Sequence, residues 1–210
     1  MGKIIAIVNQ KGGVGKTTSA VNIASALAIY EKKTLLVDFD PQGNSSSGIG
    51  VEGSSPNIYE ALIGQAKMAE VIKKSPILEK LDIVPSNVDL SGAEIELVKE
   101  YSREFKLKEA LESIKDEYDY IIVDCPPSLG LLTVNTLTAC TDVLIPIQCE
   151  YYALEGVSQL LNTIRLIKKG LNPDLNIMGI LLTMYDRRLN LSLQVAKEVR
   201  RYFQEQAFST

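Results

Sequence analysis

The clearest candidates for chemistry lie near the start of the chain, in Asn9-Gln10-Lys11-Gly12-Gly13-Val14-Gly15-Lys16-Thr17-Thr18. This segment follows a β-branched apolar run, Ile4 to Val8, and leads into a helical stretch. A loop that cradles phosphate must turn consecutive backbone N–H groups inward, and glycine's access to positive φ allows it. The N-terminus of the following helix adds partial positive charge. In such a loop Lys16 reaches the β- and γ-phosphates of a bound nucleotide, ATP being the candidate, and the Thr17 hydroxyl ligates Mg2+. Gly12, Gly13, Val14, Gly15, Lys16, Thr17 and Thr18 are therefore candidate nucleotide binders. The common form G-x-x-x-x-G-K-[ST] is broken at its first position, where Gln10 stands for glycine, and a second lysine, Lys11, opens the loop. An ordinary glycine turn with two solvated lysines is the plain alternative. The strand before it and the G-K-T-T after it weigh against that.

Two further segments end apolar runs in aspartate. Tyr120-Ile121-Ile122-Val123-Asp124 places Asp124 near Mg2+, usually through water. Alone this pattern is weak, since many buried strands end in aspartate, but a phosphate loop upstream strengthens it. In Val37-Asp38-Phe39-Asp40-Pro41-Gln42-Gly43-Asn44, Asp38 and Asp40 share a face if the strand continues, and Pro41 then turns the chain out. An Asx-rich turn is the plain alternative there.

The elements that must hold these residues alternate. Short apolar runs recur at Ile4–Val8, Thr34–Val37, Leu81–Val84, Tyr120–Val123, Val143–Ile147 and Ile177–Leu182. Several do not alternate with polar residues, as expected of strands covered on both faces. Strands alternating with helices imply right-handed crossovers. The fold class is therefore α/β, a mostly parallel central sheet flanked by helices on both faces. After the glycine loop Ala20, Ile23, Ala24, Leu27 and Ala28 form one apolar stripe, rich in alanine so that the helix can lie close to the sheet. Ser91-Gly92-Ala93-Glu94 has the form of a capping box. Further helices are read over about Lys106 to Lys115 and Leu191 to Gln204. On the last of these Lys197, Arg200, Arg201 and Gln204 fall opposite Val195, Val199 and Tyr202, and such a basic stripe is either a solvated face or a nucleic-acid contact. Open sheets of this kind bind ligands at the C-terminal ends of their strands, where the notable polar residues fall.

Composition sets bounds. The 210 residues are 46% hydrophobic and 23% charged, which suits one soluble domain and excludes disorder. A net charge of −4 means that any nucleic-acid role must come from a local patch. Cys125, Cys140 and Cys149 lack a C-x-x-C spacing and read as buried free thiols in a reducing compartment. There is no leader-like segment and no apolar run of membrane-spanning length, so a cytoplasmic protein with no membrane partner is expected.

K-G-G-V-G-K-T resembles the deviant Walker A sequence of the ParA/MinD superfamily. Asp38 to Gly43 matches the D-x-D-P-Q-G of its switch I, Asp124-Cys125-Pro126-Pro127-Ser128-Leu129-Gly130 resembles its switch II, and Gln148 to Gly156 matches a stretch typical of the Soj branch near the dimer contact. The chain is thus similar to the ParA/Soj chromosome- and plasmid-partitioning ATPases from Lys3 to about Phe203. The resemblance implies slow hydrolysis of ATP, with Mg2+, by a homodimer that forms on ATP binding. It gives Lys11 a role across the dimer interface, on the phosphates held by the other subunit, where a cation offsets charge developing in the transition state. It assigns Asp40 to the attacking water and Asp38 to the magnesium-bound waters, and so makes Lys11, Lys16 and Asp40 the catalytic set and Thr17, Asp38 and Asp124 the metal set. In Thr183-Met184-Tyr185-Asp186-Arg187-Arg188 it implies a contact with double-stranded DNA, without sequence preference, through Arg188; Arg187, Lys197, Arg200 and Arg201 extend that surface. Stimulation by a ParB-like centromere-binding protein and a nucleoid location follow from it. Residues 1–210 are expected to form one domain of this type that lacks the family's C-terminal strand, adenine-touching loop and helix. Two alternatives stay open: a MinD-like membrane-associated division-site ATPase, and a small-molecule enzyme of the dethiobiotin synthetase type. Pro41-Gln42-Gly43 favours the partition branch.

Overall fold

Strands whose residues are apolar on both faces need cover on both faces, and the computed structural model, which describes residues 2–150 and 155–208, provides it. The chain runs β1 (Lys3–Ile7), α1 (Lys16–Ile29), β2 (Thr34–Asp38), α2 (Asn44–Gly48), α3 (Ile58–Leu62), α4 (Met68–Val71), β3 (Lys73–Lys74), β4 (Leu81–Val84) and α5 (Leu90–Glu96). It continues through α6 (Lys106–Glu112), β5 (Tyr120–Asp124), α7 (Leu131–Ala139), β6 (Asp142–Gln148), α8 (Glu155–Gly170), β7 (Asn176–Thr183) and α9 (Asn190–Phe203). The sheet order is β3-β4-β2-β5-β1-β6-β7. All pairings are parallel except β3 with β4. Each of the six runs read from sequence is a strand. The two-residue β3 lay below the reach of periodicity.

Alternate residues of each strand enter two separate cores. Ile5, Ile7, Leu36, Ile83, Ile122 and Leu144 meet Ala20, Ala24 and Ala28 of α1. Ile4, Ala6, Val8, Leu35, Val37, Ile121 and Val123 meet the opposite layer, drawn from α3 to α9. Within the alanine stripe Ala20 and Ala24 are fully buried, while Ile23 and Leu27 lie at its margins. Small side chains let α1 sit low on the sheet, and this fixes the height of the loop that precedes it. From β1 the chain moves one way to β2 and later the other way to β6, so the first loop stands where strand order reverses.

Two readings need correction. Ser91-Gly92-Ala93-Glu94 is not a capping box: α5 begins at Leu90 with Asp89 as an uncapped N-cap, which puts Ser91 inside the helix. Glu94 instead accepts from the backbone N–H of Leu132 at 3.3 Å, placing its charge at the N-terminus of α7. On α9 the buried stripe is Val195, Ala196, Val199 and Phe203, and Tyr202 is 66% exposed. Spacing of four from 195 through 199 selects 203, which turns Tyr202 outward with the basic residues. Beyond α9, Ala207 forms a parallel bridge to Ile180 and the N–H of Phe208 donates to the Ile180 carbonyl, covering the outer edge of β7.

Ala24→Leu should overpack the contact between α1 and the sheet and cost about 1–3 kcal/mol, or roughly 2–12 °C in Tm. Ala26→Leu, on the exposed side of the same helix, should change Tm little; calorimetry of both variants checks the asymmetry.

Candidate functional site, a phosphate loop facing two buried carboxylates

The loop between β1 and α1 is held from below and from the side. Asn9 donates through Nδ2 to the Pro146 carbonyl of β6 at 2.7 Å, and its Oδ1 accepts from the N–H of Lys11 at 3.0 Å. Thr183, at the end of β7, donates its hydroxyl to the Val14 carbonyl at 2.8 Å. Gly13 and Gly15 have φ of 74° and 86°, left-handed values that favour glycine, and Gly15 is the N-cap of α1. The first N–H groups of α1 thus point into an open mouth with no side-chain cap.

The two lysines sit differently. Lys16 is buried and donates through Nζ to the Lys11 carbonyl at 3.0 Å, folding back over its own loop. Burial lowers its pKa, and the neighbouring carboxylates of Asp124 and Asp40 oppose the shift. Lys11 points away from the loop's interior and forms an ion pair with Glu150, just past β6. Both partners of that pair are partly exposed, with the ammonium beside an open groove lined by Gln10, Pro127, Ser128, Leu129, Gly156 and Gln159. Glu150 belongs to the Soj-like stretch read from sequence; Tyr151 to Leu154 of that stretch lie outside the described residues.

Asp38 and Asp124 are register partners on the adjacent parallel strands β2 and β5, both fully buried. Asp38 spends both oxygens locally. Oδ2 accepts from the N–H and hydroxyl of Ser46, each at 2.7 Å, and Oδ1 accepts from the Asp40 N–H at 3.3 Å. Oδ1, with this one bond accepted, keeps a lone pair that a metal-bound water could meet. Asp124 is different: Oδ2 accepts from the Ser45 hydroxyl at 2.7 Å, and Oδ1 has no hydrogen-bond partner. Burial raises both acids, Asp124 to about 7, against the opposing pull of the Ser45 and Thr17 hydroxyls on Asp124. An unpartnered buried carboxylate oxygen beside the threonine that follows Lys16 is what a hydrated divalent cation would need, so the residues fit Mg2+. Among the described residues no group of three or more His, Cys, Asp or Glu gathers as a metal cluster. Asp40 is buried, and its Oδ1 accepts from the Gln42 N–H at 3.0 Å, which ties it into the turn ahead of α2.

Lys11, Gly12, Gly13, Val14, Gly15, Lys16, Thr17, Thr18, Asp38, Asp40 and Asp124 therefore converge at one end of the sheet. The basic residues do not join them: Arg187, Arg188, Lys197, Arg200 and Arg201 form an exposed surface on α9 and the turn before it. Arg188 is not a free cation there, since its Nε and Nη2 donate to Asp186 at 3.0 and 2.7 Å. Asn9, Ser45, Ser46, Glu150 and Thr183 were missed from sequence. The Asn44-Ser45-Ser46-Ser47 run, hydroxyls directly after the paired aspartates, and for Glu150 the Soj-like stretch around it, offered a signal. Cys125, Cys140 and Cys149 are buried and free, and burial raises all three thiols, the setting of structural cysteines.

Fold and loop together put the chain in the class of P-loop nucleoside triphosphatases. A family model described as an AAA domain matches residues 2–177. The sporulation initiation inhibitor protein Soj of Bacillus subtilis is 58% identical over all of this chain and 83% of its own length. The chromosome partitioning protein ParA of Myxococcus xanthus is 57% identical over 99% of this chain and 74% of its own. The chain belongs to the Soj/ParA family of chromosome-partitioning ATPases. Among solved structures, cobyrinic acid a,c-diamide synthase of Mycobacterium smegmatis, with bound ADP and magnesium, has a TM-score of 0.92 at 40% identity over 97% of this chain and 83% of that one. A plasmid partition protein of Borrelia burgdorferi has a TM-score of 0.86 at 29% identity over 98% of this chain and 87% of that one.

Because Asp124 is raised in the folded state, that state binds a proton more readily than the unfolded chain. Its burial penalty is absent below about pH 4 and fully present above about pH 7. Asp124→Asn should therefore raise Tm in EDTA without nucleotide by several degrees at pH 8 and by roughly a quarter as much at pH 4.5. Thermal melts across that range check the sign.

Proposed function

We propose that the chain hydrolyses ATP, with Mg2+, as a homodimer that ATP assembles, that the dimer binds double-stranded DNA without sequence preference, and that a ParB-like centromere-binding protein stimulates turnover in the cytoplasm, on the nucleoid. The observation that carries this reading is the division of labour between the lysines. Lys16 is buried within its own loop, whereas Lys11 projects to the rim and pairs with Glu150 beside an open groove. A second protomer across the groove gives that cation a triphosphate to meet.

The energetics favour such an exchange. A partly exposed ion pair contributes at most about 1 kcal/mol, so Lys11 can leave Glu150 at little cost. Close to a triphosphate in a water-excluded interface the same ammonium is far more effective, because charge interactions strengthen as the dielectric falls. Lys16 and the N–H groups of the loop would hold the β- and γ-phosphates, and Asp40 would orient the attacking water. Thr17 and Asp124, with Asp38 behind them, would hold Mg2+, whose chemistry is to neutralise charge on the phosphate oxygens. Hydrolysis then depends on pairing. DNA contact through Arg187, Arg188, Lys197, Arg200 and Arg201 would be phosphate-directed and salt-sensitive, and doubling the surface would make it depend on the dimer. Arg188 must exchange Asp186 for phosphate as part of that contact.

The name of the Mycobacterium smegmatis neighbour favours one other reading, amide synthesis on a small molecule. ATP turnover that starts only when a carboxylic-acid metabolite is added would support it.

Size analysis and DNA binding with ATP, ADP and no nucleotide test the proposal. Wild type should dimerise and bind DNA with ATP only. Asp40→Ala should accumulate as a DNA-bound ATP dimer, and a variant that stays monomeric under saturating ATP rejects the role given to Asp40. Lys11→Ala should keep nucleotide affinity within a few-fold yet lose the dimer. Arg188→Glu should dimerise normally and bind DNA at least ten-fold more weakly, and its salt slope should fall by about one for each phosphate it no longer neutralises.

A further inference from the structure

The two serines that open α2 reach the two buried acids. Gly43 precedes them with φ of 64°, and a Cβ there would come within 2.9 Å of the Ser86 carbonyl oxygen. This close approach seats the first turn of α2 directly on the strand ends. Since Asp38 and Asp124 are lateral neighbours on β2 and β5, consecutive side chains of one helical turn span both. Ser46 takes Asp38, and its Oγ also accepts from the Ser86 N–H at 3.0 Å, so it is anchored at both ends. Ser45 is fully buried and has one partner, Oδ2 of Asp124, the acid whose other oxygen is left open.

We propose that Ser45 is a positioning residue: its hydroxyl fixes the rotation of the Asp124 carboxylate so that Oδ1 faces the metal position beside Thr17, and ties the segment carrying Asp40 to that carboxylate. Metal occupancy and the placement of Asp40 are then one event, because the carboxylate that meets the hydrated cation also holds α2. Ser46 has no such role. It fastens the same segment to β2 and to Ser86, just past β4, whatever occupies the loop. The inference rests on the nucleotide reading above and adds to it a route by which the metal side of the site controls the water side.

The test uses the full chain, a fluorescent non-hydrolysable ATP analogue, and titrations in EDTA and in magnesium chloride. Wild type should bind more tightly with magnesium. Ser45→Ala should keep its EDTA affinity within about two-fold and lose roughly ten-fold of the magnesium-dependent gain, the scale of one hydrogen bond to a charged group. Ser45→Thr, which keeps the hydroxyl, should recover most of it. Ser45→Cys, nearly isosteric with only a weak donor, carries the same expectation as alanine should the alanine variant not fold. Limited proteolysis supplies a second readout: analogue and magnesium together should protect residues 40–53 in wild type and not in Ser45→Ala. Ser46→Ala should weaken binding equally in both buffers. A Ser45→Ala or Ser45→Cys variant whose magnesium gain is unchanged overturns the proposal, as does a loss of equal size in EDTA, which would mark Ser45 as merely structural. Absence of magnesium-dependent binding in wild type overturns the nucleotide reading itself, and the proposal with it.

Discussion

Buried charge that is not neutralised from within is the constraint around which this fold is arranged. Two carboxylates end neighbouring strands, both fully buried, and the ammonium of a buried lysine folds back above them onto a backbone carbonyl. Burial lowers Lys16 and raises Asp38 and Asp124, so each group is held in an environment that disfavours its charged form. Buried charges without full pairing are costly, and a fold retains them where something else supplies the balance. A triphosphate with a divalent cation supplies both signs, negative against Lys16 and the helix N-terminus, positive against Asp124.

The sheet makes that arrangement rigid. β1 lies between β5 and β6, so its C-terminal loop is carried at the reversal of strand order. The alanine face of α1 sets the helix close to the sheet, and Asn9 and Thr183 clamp the loop to β6 and β7. In contrast, α2 has five residues and is fastened by serine hydroxyls to the two acids. A segment held by so few bonds, next to charges that a ligand would change, is suited to respond to that ligand.

Two ion pairs at the surface carry a similar logic. Lys11 is taken by Glu150 and Arg188 by Asp186, each within the same chain. Exposed pairs of this kind are weak, so they park a cation without committing it. Both are residues to which the family resemblance gives a partner outside the chain, and the pairs show what each must release to reach it.

The sequence by itself determined the fold class, the six principal strands, the phosphate loop and the acids at the strand ends. These signals are local: apolar runs, glycine spacing and strand-terminal aspartates are each written in contiguous residues. It misassigned Ser91 to Glu94, because capping depends on where the helix starts, and Tyr202, because a spacing of three or four is resolved only by the surface packed against. Tertiary structure alone decided the rest. Ser45 meets Asp124 across 79 positions, Lys11 meets Glu150 across 139, and Thr183 meets Val14 across 169. Hydrogen bonds and ion pairs depend on atoms within a few ångströms of each other, and separations of that size along the chain carry no pattern from which such closeness could be read.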